Sequence, residues 1–377
     1  MVVRYKFSSN DFYILHIEII YFMHGSGKGE TWMPDVRLSR RSAMSAMPGG
    51  QARRRFWRAA ALALLAAAGG GAAQAPAAKV PMVKSQAPGF YRMMLGDYEI
   101  TALNDGVVDF PPAKLLTNTT AGEVAAMLRK RFEPDAVPTS VNAFLINTGD
   151  RLVLVDTGAG KVLGPRLGGL AESLRAAGYR PDQVDAVLIT HMHPDHIGGL
   201  VKDGQPAFPN ATVYADKTDA ALWLDPAEAA KAPEDQGKLG KYRFRAVKES
   251  MDAYSRRGRL QYFDGTGEVL PGIRAIASRG HSPGHAFFEV ESKGERLLFW
   301  GDIMHFGQVQ LELPEVAMYS DIDPAKATAS RLAALKDAAD GRYLVAAAHL
   351  PFPGLGHIRK AERGYAWVPV TYEIPPR

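Results

Sequence analysis

The sequence of 377 residues contains no cysteine. The chain can therefore form neither a disulfide nor a thiolate metal site, and any metal must be held by imidazole or oxygen ligands. Its stability must come from a packed core, and the hydrophobic content of 46% is typical of a globular protein. The length is compatible with one large domain or with two ordinary ones.

The chain also lacks an excess of charge of one sign outside its N-terminal region. The formal net charge is +5, but residues 1–78 contain ten Lys or Arg and four Asp or Glu, which leaves 35 basic and 36 acidic residues from Lys79 onward. Because nucleic-acid-binding domains concentrate positive charge on one surface, we expect no nucleic-acid partner.

The sequence has no long apolar run of the kind that spans a membrane. The apolar stretch at residues 11–23 is too short and is interrupted by His16 and Glu18. Residues 47–78 instead have the order of a secretory signal, with a basic segment at 53–58, an apolar segment at 59–68 and small residues at 73–78. We therefore predict an exported protein, periplasmic or secreted, without a stable membrane anchor after signal cleavage.

The export route and the start of the protein stay open at this point. Arg53, Arg54 and Phe56 fit loosely a twin-arginine signal, and an arginine-rich Sec signal fits equally well. Because a signal begins near the N-terminus, Met44 or Met47 is a candidate start, and residues 1–43 would then be a gene-calling artefact. We predict a leader over residues 1–78 and one domain over residues 79–377.

Strand and helix patterns follow the leader in a mixed order and without a repeat. This order predicts an α/β sandwich with no second domain. The strand patterns lie at residues 98–110, 142–147, 152–156, 185–190, 211–216, 272–278, 286–292, 296–302 and 342–350, and helical spacing occurs at residues 167–177, 217–230, 238–257 and 325–339.

Potential metal ligands follow four of the predicted strands. Because strand ends converge on one edge of a sheet, ligands far apart in sequence can meet there. Imidazole and carboxylate suit zinc and other divalent first-row ions, so the sequence predicts a metal site at this edge. The candidate ligands are His191, His193, Asp195 and His196 after the first of these strands, and His281, Asp302 and His349 after the other three.

These residues resemble the metallo-β-lactamase superfamily, whose H-x-H-x-D-H signature is reproduced at residues 191–196. The resemblance implies an αββα sandwich, in which two mixed sheets are flanked by helices. It also implies two divalent metal ions, with Zn²⁺ as the leading identity. The ligands that it implies are His191, His193 and His281 for one ion, Asp195, His196 and His349 for the second, and Asp302 as a bridge between them.

Composition and longer stretches of the sequence indicate which branch of the superfamily the chain resembles. The absence of cysteine excludes the β-lactamases with a thiolate on the second metal, and Asp302 as a bridge indicates the hydrolase, lactonase and glyoxalase branches. "GYRPDQVDAVLITHMHPDHIGGL" and "HLPFPGLGHIR", with other stretches between Ala87 and Val370, closely resemble the methyl parathion hydrolase family. That family consists of exported dinuclear enzymes that cleave aryl phosphotriesters, and the likeness implies a homodimer.

The family resemblance also suggests residues of a substrate pocket. Members line the pocket with aromatic rings, which match Trp223 and, in a looser alignment, Phe244. A third ring is replaced by Leu163, and His305 follows the bridging Asp302 by three residues. Both departures from the family predict inefficient cleavage of bulky phosphotriesters. For Trp223 the alternative is an ordinary core aromatic on a helix.

Three other polar residues have a structural alternative to a role as ligands. Asp156 ends a predicted strand, and the resemblance implies that it orients the loop beneath the metals, the alternative being a turn-forming Asp. His285 lies four residues beyond His281, and we expect it to open the next strand in a structural role. His357 is expected to be a loop histidine away from the metals.

The ligand set and the resemblance predict an exported dinuclear hydrolase that acts on small molecules. A hydroxide bridging the ions, positioned by Asp302 and Asp195, would cleave an aryl ester, a lactone or an organophosphate triester. Two alternatives stay open: a mononuclear-iron enzyme of sulfur metabolism with the same fold, and a non-catalytic periplasmic metal-binding protein.

Overall fold

The computed structural model describes the backbone of residues 2–8, 14–24 and 31–39 and all of residues 80–234 and 237–374. The chain divides into two compact units, Met1–Val83 and Lys84–Arg377. The first contains an antiparallel sheet in the order β1-β2-β3, and the signal that we predict at residues 47–78 lies outside the described residues. Its strands are β1 (Val2–Ser8), β2 (Ile14–His24) and β3 (Thr31–Ser39).

The second unit alternates strands and helices, as the patterns predict. Its strands are β4 (Phe90–Leu95), β5 (Tyr98–Phe110), β6 (Leu116–Thr117), β7 (Val137–Asn147), β8 (Leu152–Val155), β9 (Ala186–Leu188), β10 (Val201–Lys202), β11 (Gln205–Pro206), β12 (Thr212–Asp216), β13 (Leu260–Phe263), β14 (Gly267–Leu270), β15 (Ile273–Ala277), β16 (Ala286–Ser292), β17 (Glu295–Phe299), β18 (Ala317–Met318), β19 (Leu344–Ala346), β20 (Leu355–Lys360) and β21 (Tyr365–Pro369). Its α-helices are α1 (Pro112–Leu115), α2 (Ala121–Lys130), α3 (Leu170–Ala176), α4 (Pro194–Ile197), α5 (Lys217–Trp223), α6 (Pro226–Lys231), α7 (Lys241–Ser255), α8 (Gly307–Gln310) and α9 (Pro324–Gly341).

Two seven-stranded mixed sheets form the centre of this unit. Their strand orders are β13-β12-β9-β8-β7-β5-β4 and β14-β15-β16-β17-β19-β20-β21. In the first sheet β8, β9, β12 and β13 are parallel neighbours, and in the second β17 and β19 are parallel. The remaining pairs within both sheets are antiparallel.

Both faces of each sheet are buried, so successive residues of one strand enter different cores. In β7 and β8, Leu145 and Leu154 belong to the core beneath the helices, whereas Ile146 and Val153 lie in the core between the sheets. Phe299 of the opposing sheet fills that central core as well. Burial on both faces explains why these strands are almost continuously apolar.

Helices cover the outer face of each sheet. Leu174 of α3 and Val247 and Met251 of α7 pack in the core of the first sheet, and Leu335 of α9 packs with Val345 on the second sheet. The αββα sandwich implied by the resemblance is therefore confirmed. Among the described residues, no helix has both the length and the apolar content needed to cross a bilayer.

Two helices differ clearly from the sequence prediction. The single helix expected at 217–230 is two helices, because Pro226 begins α6 and the Asp225 side chain caps it by accepting the N–H of Ala227 at 2.7 Å. The helix expected from Leu167 begins only at Leu170.

Candidate metal centre

The structure brings together the seven candidate ligands at the ends of strands β9, β15, β17 and β19. They form two groups that share Asp302, and in each group the ligand atoms all lie within 4.8 Å of one another. The first group consists of His191, His193, His281 and Asp302, and the second of Asp195, His196, His349 and Asp302.

The carboxylate of Asp302 faces both groups with one oxygen each. Its Oδ2 lies 3.5 Å from Nε2 of His191 and 3.2 Å from Nε2 of His281. Its Oδ1 lies 2.9 Å from Nε2 of His196 and 3.0 Å from Nε2 of His349. This orientation is the one that a carboxylate needs to bridge two metal ions.

The donor set fits two zinc ions on two independent observations. Two ligands of a tetrahedral zinc ion with bonds of ~2.0–2.1 Å stand ~3.3 Å apart. In the second group the distances to Nε2 of His196 run from 2.9 Å for Asp302 to 3.8 Å for Asp195. In addition, Nε2 of His196, Nε2 of His349 and Oδ1 of Asp302 are buried and lie close together, but none of them makes a hydrogen bond of suitable geometry with the described residues. Unpaired polar atoms that converge in this way indicate an ion.

The loop that carries four of the ligands is shaped by proline and glycine. Pro194 is the first residue of α4, and His193 occupies the position before it in extended conformation. After α4 the chain passes very close to the loop that follows β8. A Cβ on Gly198 would lie 2.1 Å from the carbonyl oxygen of Ala159, and one on Gly199 would lie 1.9 Å from that of Thr157. Glycine is thus needed at both positions for this approach.

In most of the histidines, the ring nitrogen that faces away from the ligand group makes a hydrogen bond to a neighbouring residue. Nδ1 of His281 lies 2.7 Å from Oδ1 of Asp321, and Nδ1 of His196 lies 2.8 Å from Oδ2 of Asp156. Nδ1 of His349 donates to the carbonyl oxygen of Ser140 at 2.9 Å. Such contacts fix ring orientation and raise the basicity of the ligating nitrogen.

His191 and His193 complete the first group in different ways. Nδ1 of His191 is 3.1 Å from Oγ1 of Thr190. His193 turns Nδ1 to the group, 3.0 Å from Nε2 of His191 and 2.9 Å from Nε2 of His281, and its Nε2 is buried without a hydrogen-bond partner among the described residues. Three ring nitrogens that meet at about 3 Å need a cation or shared protons between them.

The acids in the centre keep their charge despite burial. Burial alone would raise the pKa of Asp302, but His196 and His349 beside it hold this pKa well below its usual range. Burial likewise opposes a charged His349, yet Asp302 and Asp195 raise the pKa of this ring to about 10. Asp302 and Asp321 raise the pKa of His281 to about 9 against the same cost of burial. The carboxylates thus create a site that attracts cations.

Asp156 contacts one ligand and the residue that precedes another, and its role in orienting the loop beneath the metals stays a prediction. Its Oδ2 accepts the Oγ1–H of Thr190 at 2.8 Å in addition to contacting His196, and its Oδ1 accepts the N–H of Thr190 at 2.8 Å. His285 is buried immediately before β16 and touches the backbone of Asp302. Its position agrees with the structural role that we expected.

Trp223 and Phe244 are buried rather than exposed in an open pocket. Their exposed fractions are 1% and 5%, and the two ring centroids are 5.0 Å apart. Trp223 also packs edge-on against His193 at 5.5 Å. Both rings therefore occupy the position of core aromatics behind a ligand, because α5 and α7 pack together on the sheet. Contact with a substrate stays a prediction for them.

His305 and Leu163 have different surroundings. Nε2 of His305 is 3.1 Å from Oδ2 of Asp302, and its ring stacks on His349 at 5.1 Å and 17°. It is thus part of the centre. Leu163 is half-buried and packs against a small cluster that contains Val141 and Leu167.

The structure also corrects one placement and adds residues that the sequence did not reveal. His357 lies in strand β20, not in a loop, with Nδ1 3.1 Å from the carbonyl oxygen of Tyr343. Asp321 and Asp219 contact the ligands or their loops, although neither follows a strand that the patterns associate with the site. Only their tertiary contacts identify them.

Comparison with known proteins agrees with this geometry. Residues 136–349 match the family model of the metallo-beta-lactamase superfamily. A solved hydrolase of the beta-lactamase superfamily, AbOPH, is 40% identical with a TM-score of 0.73, over 77% of this chain and 100% of that one. AidC, a dizinc quorum-quenching lactonase solved with a product, is 27% identical with a TM-score of 0.69, over 76% and 99%.

Curated relatives match over shorter regions. A ribonuclease of Thermus thermophilus is 30% identical over 192 residues, which are 50% of this chain and 40% of the relative. An N-acyl homoserine lactonase of Bacillus thuringiensis is 31% identical over 129 residues, 33% of this chain and 41% of the relative. The chain therefore spans about two fifths of the length of these relatives.

Proposed function

The chain belongs to the metallo-beta-lactamase superfamily, and from this premise we propose that it is a dinuclear metal-dependent hydrolase of lactones and aryl esters, with organophosphate triesters as poorer substrates. The observation that carries the proposal is the carboxylate of Asp302, whose two oxygens face the two groups of ligands separately. A carboxylate in this orientation would hold two ions at a fixed separation, where both could supply Lewis acidity to one substrate.

The metals would supply chemistry that no side chain of the centre can provide. Two bound divalent ions lower the pKa of water toward neutrality and act as Lewis acids on the oxygen of the substrate where negative charge develops. Zn²⁺ is the identity that we propose, because the donors are imidazole and carboxylate only and AidC is described as a dizinc enzyme.

The side chains of the centre orient the ligands and leave one side accessible. Asp321 and Asp156 hold the rings of His281 and His196. The side chain of Asp195 is 15% exposed, whereas those of His349 and Asp302 are 0% and 2% exposed. We infer that the substrate approaches from the side of Asp195, since a ligand that remains open to solvent marks the accessible face of the centre.

The substrate class rests on similarity and on the shape of the centre. AidC is a lactonase of closely similar fold, and AbOPH is a hydrolase. The resemblance to methyl parathion hydrolase adds aryl esters and aryl phosphotriesters to the proposal. His305 stands beside Asp302 and His349 and narrows the space for a tetrahedral phosphorus centre. Flatter acyl substrates are therefore preferred.

The cellular setting is also part of the proposal. The signal pattern at residues 47–78 supports export to the periplasm or the medium. The near-neutral charge from Lys79 onward supports a small-molecule substrate rather than a nucleic acid. The likeness to methyl parathion hydrolase supports a homodimer.

A hydrolysis screen of the full chain tests the proposal. The zinc-reconstituted protein is assayed on lactones, p-nitrophenyl esters and aryl phosphotriesters, before and after removal of metal with a chelator. We expect turnover of lactones and aryl esters that disappears with the chelator and returns with Zn²⁺. Undiminished hydrolysis by the metal-free protein would overturn the proposal.

Metal analysis of the protein as purified, before any metal is removed or added, addresses the alternatives. A single iron ion with no hydrolysis of any ester would favour the mononuclear enzyme of sulfur metabolism. Two tightly bound ions with no hydrolysis would favour a metal-binding protein without catalysis.

A further inference from the structure

Asp219 of α5 is a fully buried carboxylate that joins two loops of the metal centre. Its Oδ2 accepts the N–H of Met192 at 2.8 Å. Its Oδ1 accepts the Oγ–H of Ser282 at 2.7 Å and the N–H of Gly284 at 2.5 Å. Within the described part of the chain, none of these hydrogen bonds of Asp219 goes to a ligand side chain. Met192 stands between His191 and His193 in the sequence, and Ser282 follows His281.

We propose that Asp219 is a positioning residue for the metal ion of the first group, that of His191, His193 and His281. The three histidines of that group come from two loops, and the carboxylate of Asp219 sets the distance between those loops. The inference rests on the proposed dinuclear metal centre. It assigns Asp219 to the positioning of the first group of ligands and not of the second.

The second group depends on other contacts. His196 is held by Asp156, and His349 by the carbonyl oxygen of Ser140. Neither of these partners is bonded to Asp219. A substitution that removes the contacts of Asp219 should therefore lower the affinity for the first ion far more than the affinity for the second.

The contacts around Asp219 require a carboxylate at position 219 and a glycine at position 284. Three donors converge on Asp219, and an amide in its place would offer one acceptor oxygen and turn an N–H₂ group toward at least one donor. The neighbouring cation, Arg279, bonds to Asp216 and to the carbonyl oxygen of Pro283 instead. A Cβ on Gly284 would lie 2.5 Å from the backbone nitrogen of Asp219, so this loop can approach α5 only with glycine there.

Zinc affinity in two single-site backgrounds tests the inference. His349→Ala weakens the second group and leaves the first, and His281→Ala does the reverse. Asp219→Asn is added to each full-length background, and the dissociation constant for Zn²⁺ is measured by competition with a chelator. We expect a loss of about 10- to 100-fold in the His349→Ala background, the range found for partners of metal ligands. In the His281→Ala background we expect a change of less than about threefold.

Matched variants separate positioning from general stability. Asp225→Asn makes the same change from carboxylate to amide at the N-cap position of the adjacent helix, outside both groups, and should leave both affinities unchanged. If Asp219→Asn does not fold, Ser282→Ala and Gly284→Ala disturb the same contacts singly and should weaken the first ion selectively. The free energy of unfolding of each metal-free variant is measured in urea.

The outcomes distinguish this inference from the proposed function. An equal loss of affinity in both backgrounds, or unchanged affinity in both, overturns the positioning role of Asp219. Failure of the wild-type chain to bind Zn²⁺ overturns the dinuclear centre itself, and the inference with it.

Discussion

The backbone N–H of Asp302 donates a hydrogen bond to Nε2 of His285, 3.0 Å away. Nδ1 of the same buried ring lies 2.9 Å from the carbonyl oxygen of Ser278. Burial, together with the charge of His281, lowers the pKa of His285 to about 3, so the ring is neutral at physiological pH. A neutral histidine with its proton on Nδ1 therefore holds the backbone of the residue that faces both groups of ligands.

Replacement of His285 should weaken both metal ions together. His285→Phe leaves the buried N–H of Asp302 unpaired, which costs about 1–3 kcal/mol of the free energy of unfolding. Because Asp302 belongs to both groups, we expect lower affinity for both ions in a chelator competition. His357→Phe is the matched control, since His357 also bonds to a backbone oxygen but lies outside both groups. Equal metal loss in the two variants would contradict this account.

His305→Leu should shift the preference of the enzyme toward phosphotriesters. The ring stacks on His349 and lies 3.1 Å from Asp302, so its replacement by leucine removes a polar group that crowds the centre. The measurement is the ratio of kcat/KM for an aryl phosphotriester to kcat/KM for the matching aryl ester. The metal content must stay at two ions per chain for the comparison to hold. An unchanged ratio would show that His305 does not determine the preference between phosphotriesters and esters.

Trp223→Ala should act mainly on stability. The ring is 1% exposed and packs between His193 and Phe244, and truncation of such a core aromatic costs about 3–5 kcal/mol of the free energy of unfolding. We expect a large fall in melting temperature and equal losses on aryl and aliphatic substrates. A selective loss on aryl substrates at an unchanged melting temperature would instead support the role in the substrate pocket that the resemblance suggests.

The metal-free chain should lose stability as the pH rises. The pKa values of His349 and His281 are raised to about 10 and about 9 from 6.5, since nearby carboxylates outweigh the cost of burial. A raised histidine pKa contributes stability that is complete below about pH 6.5 and is lost as the pH rises through 9 to 10. In a zinc form these rings would be deprotonated ligands, so this dependence should vanish.

Urea unfolding of both forms at pH 7 and pH 9.5 measures this difference. Zinc uptake at pH 7 should also release protons into a weakly buffered solution with an indicator dye. An identical pH dependence of the two forms would show that the histidines are not protonated in the metal-free chain.

The sequence predicted nine of the fourteen strands in the two seven-stranded sheets, and it predicted the convergence of the ligands, because both depend on local pattern. Strands β4, β13, β14, β20 and β21 were missed. Apolar runs mark strands buried on two faces, and the ligands follow them directly, as Asp302 follows β17. The break between α5 and α6 was missed although Pro226 is visible, because helical spacing continues across it.

The partners of the ligands could not be predicted in the same way. Asp321 and Asp219 reach His281 and its loop from segments that carry no pattern of their own, 40 and 62 residues away in sequence. The burial of Trp223 depends on how two helices pack on a sheet, which hydrophobic spacing does not specify.

The zinc content of the wild-type chain and of Asp302→Ala, measured together with their lactone and aryl ester hydrolysis, tests the dinuclear centre most directly. We predict two ions per chain and turnover in the wild type. Because one carboxylate faces both groups, Asp302→Ala should lose affinity for both ions and all hydrolysis. Two tightly bound ions with normal turnover in Asp302→Ala would contradict the account.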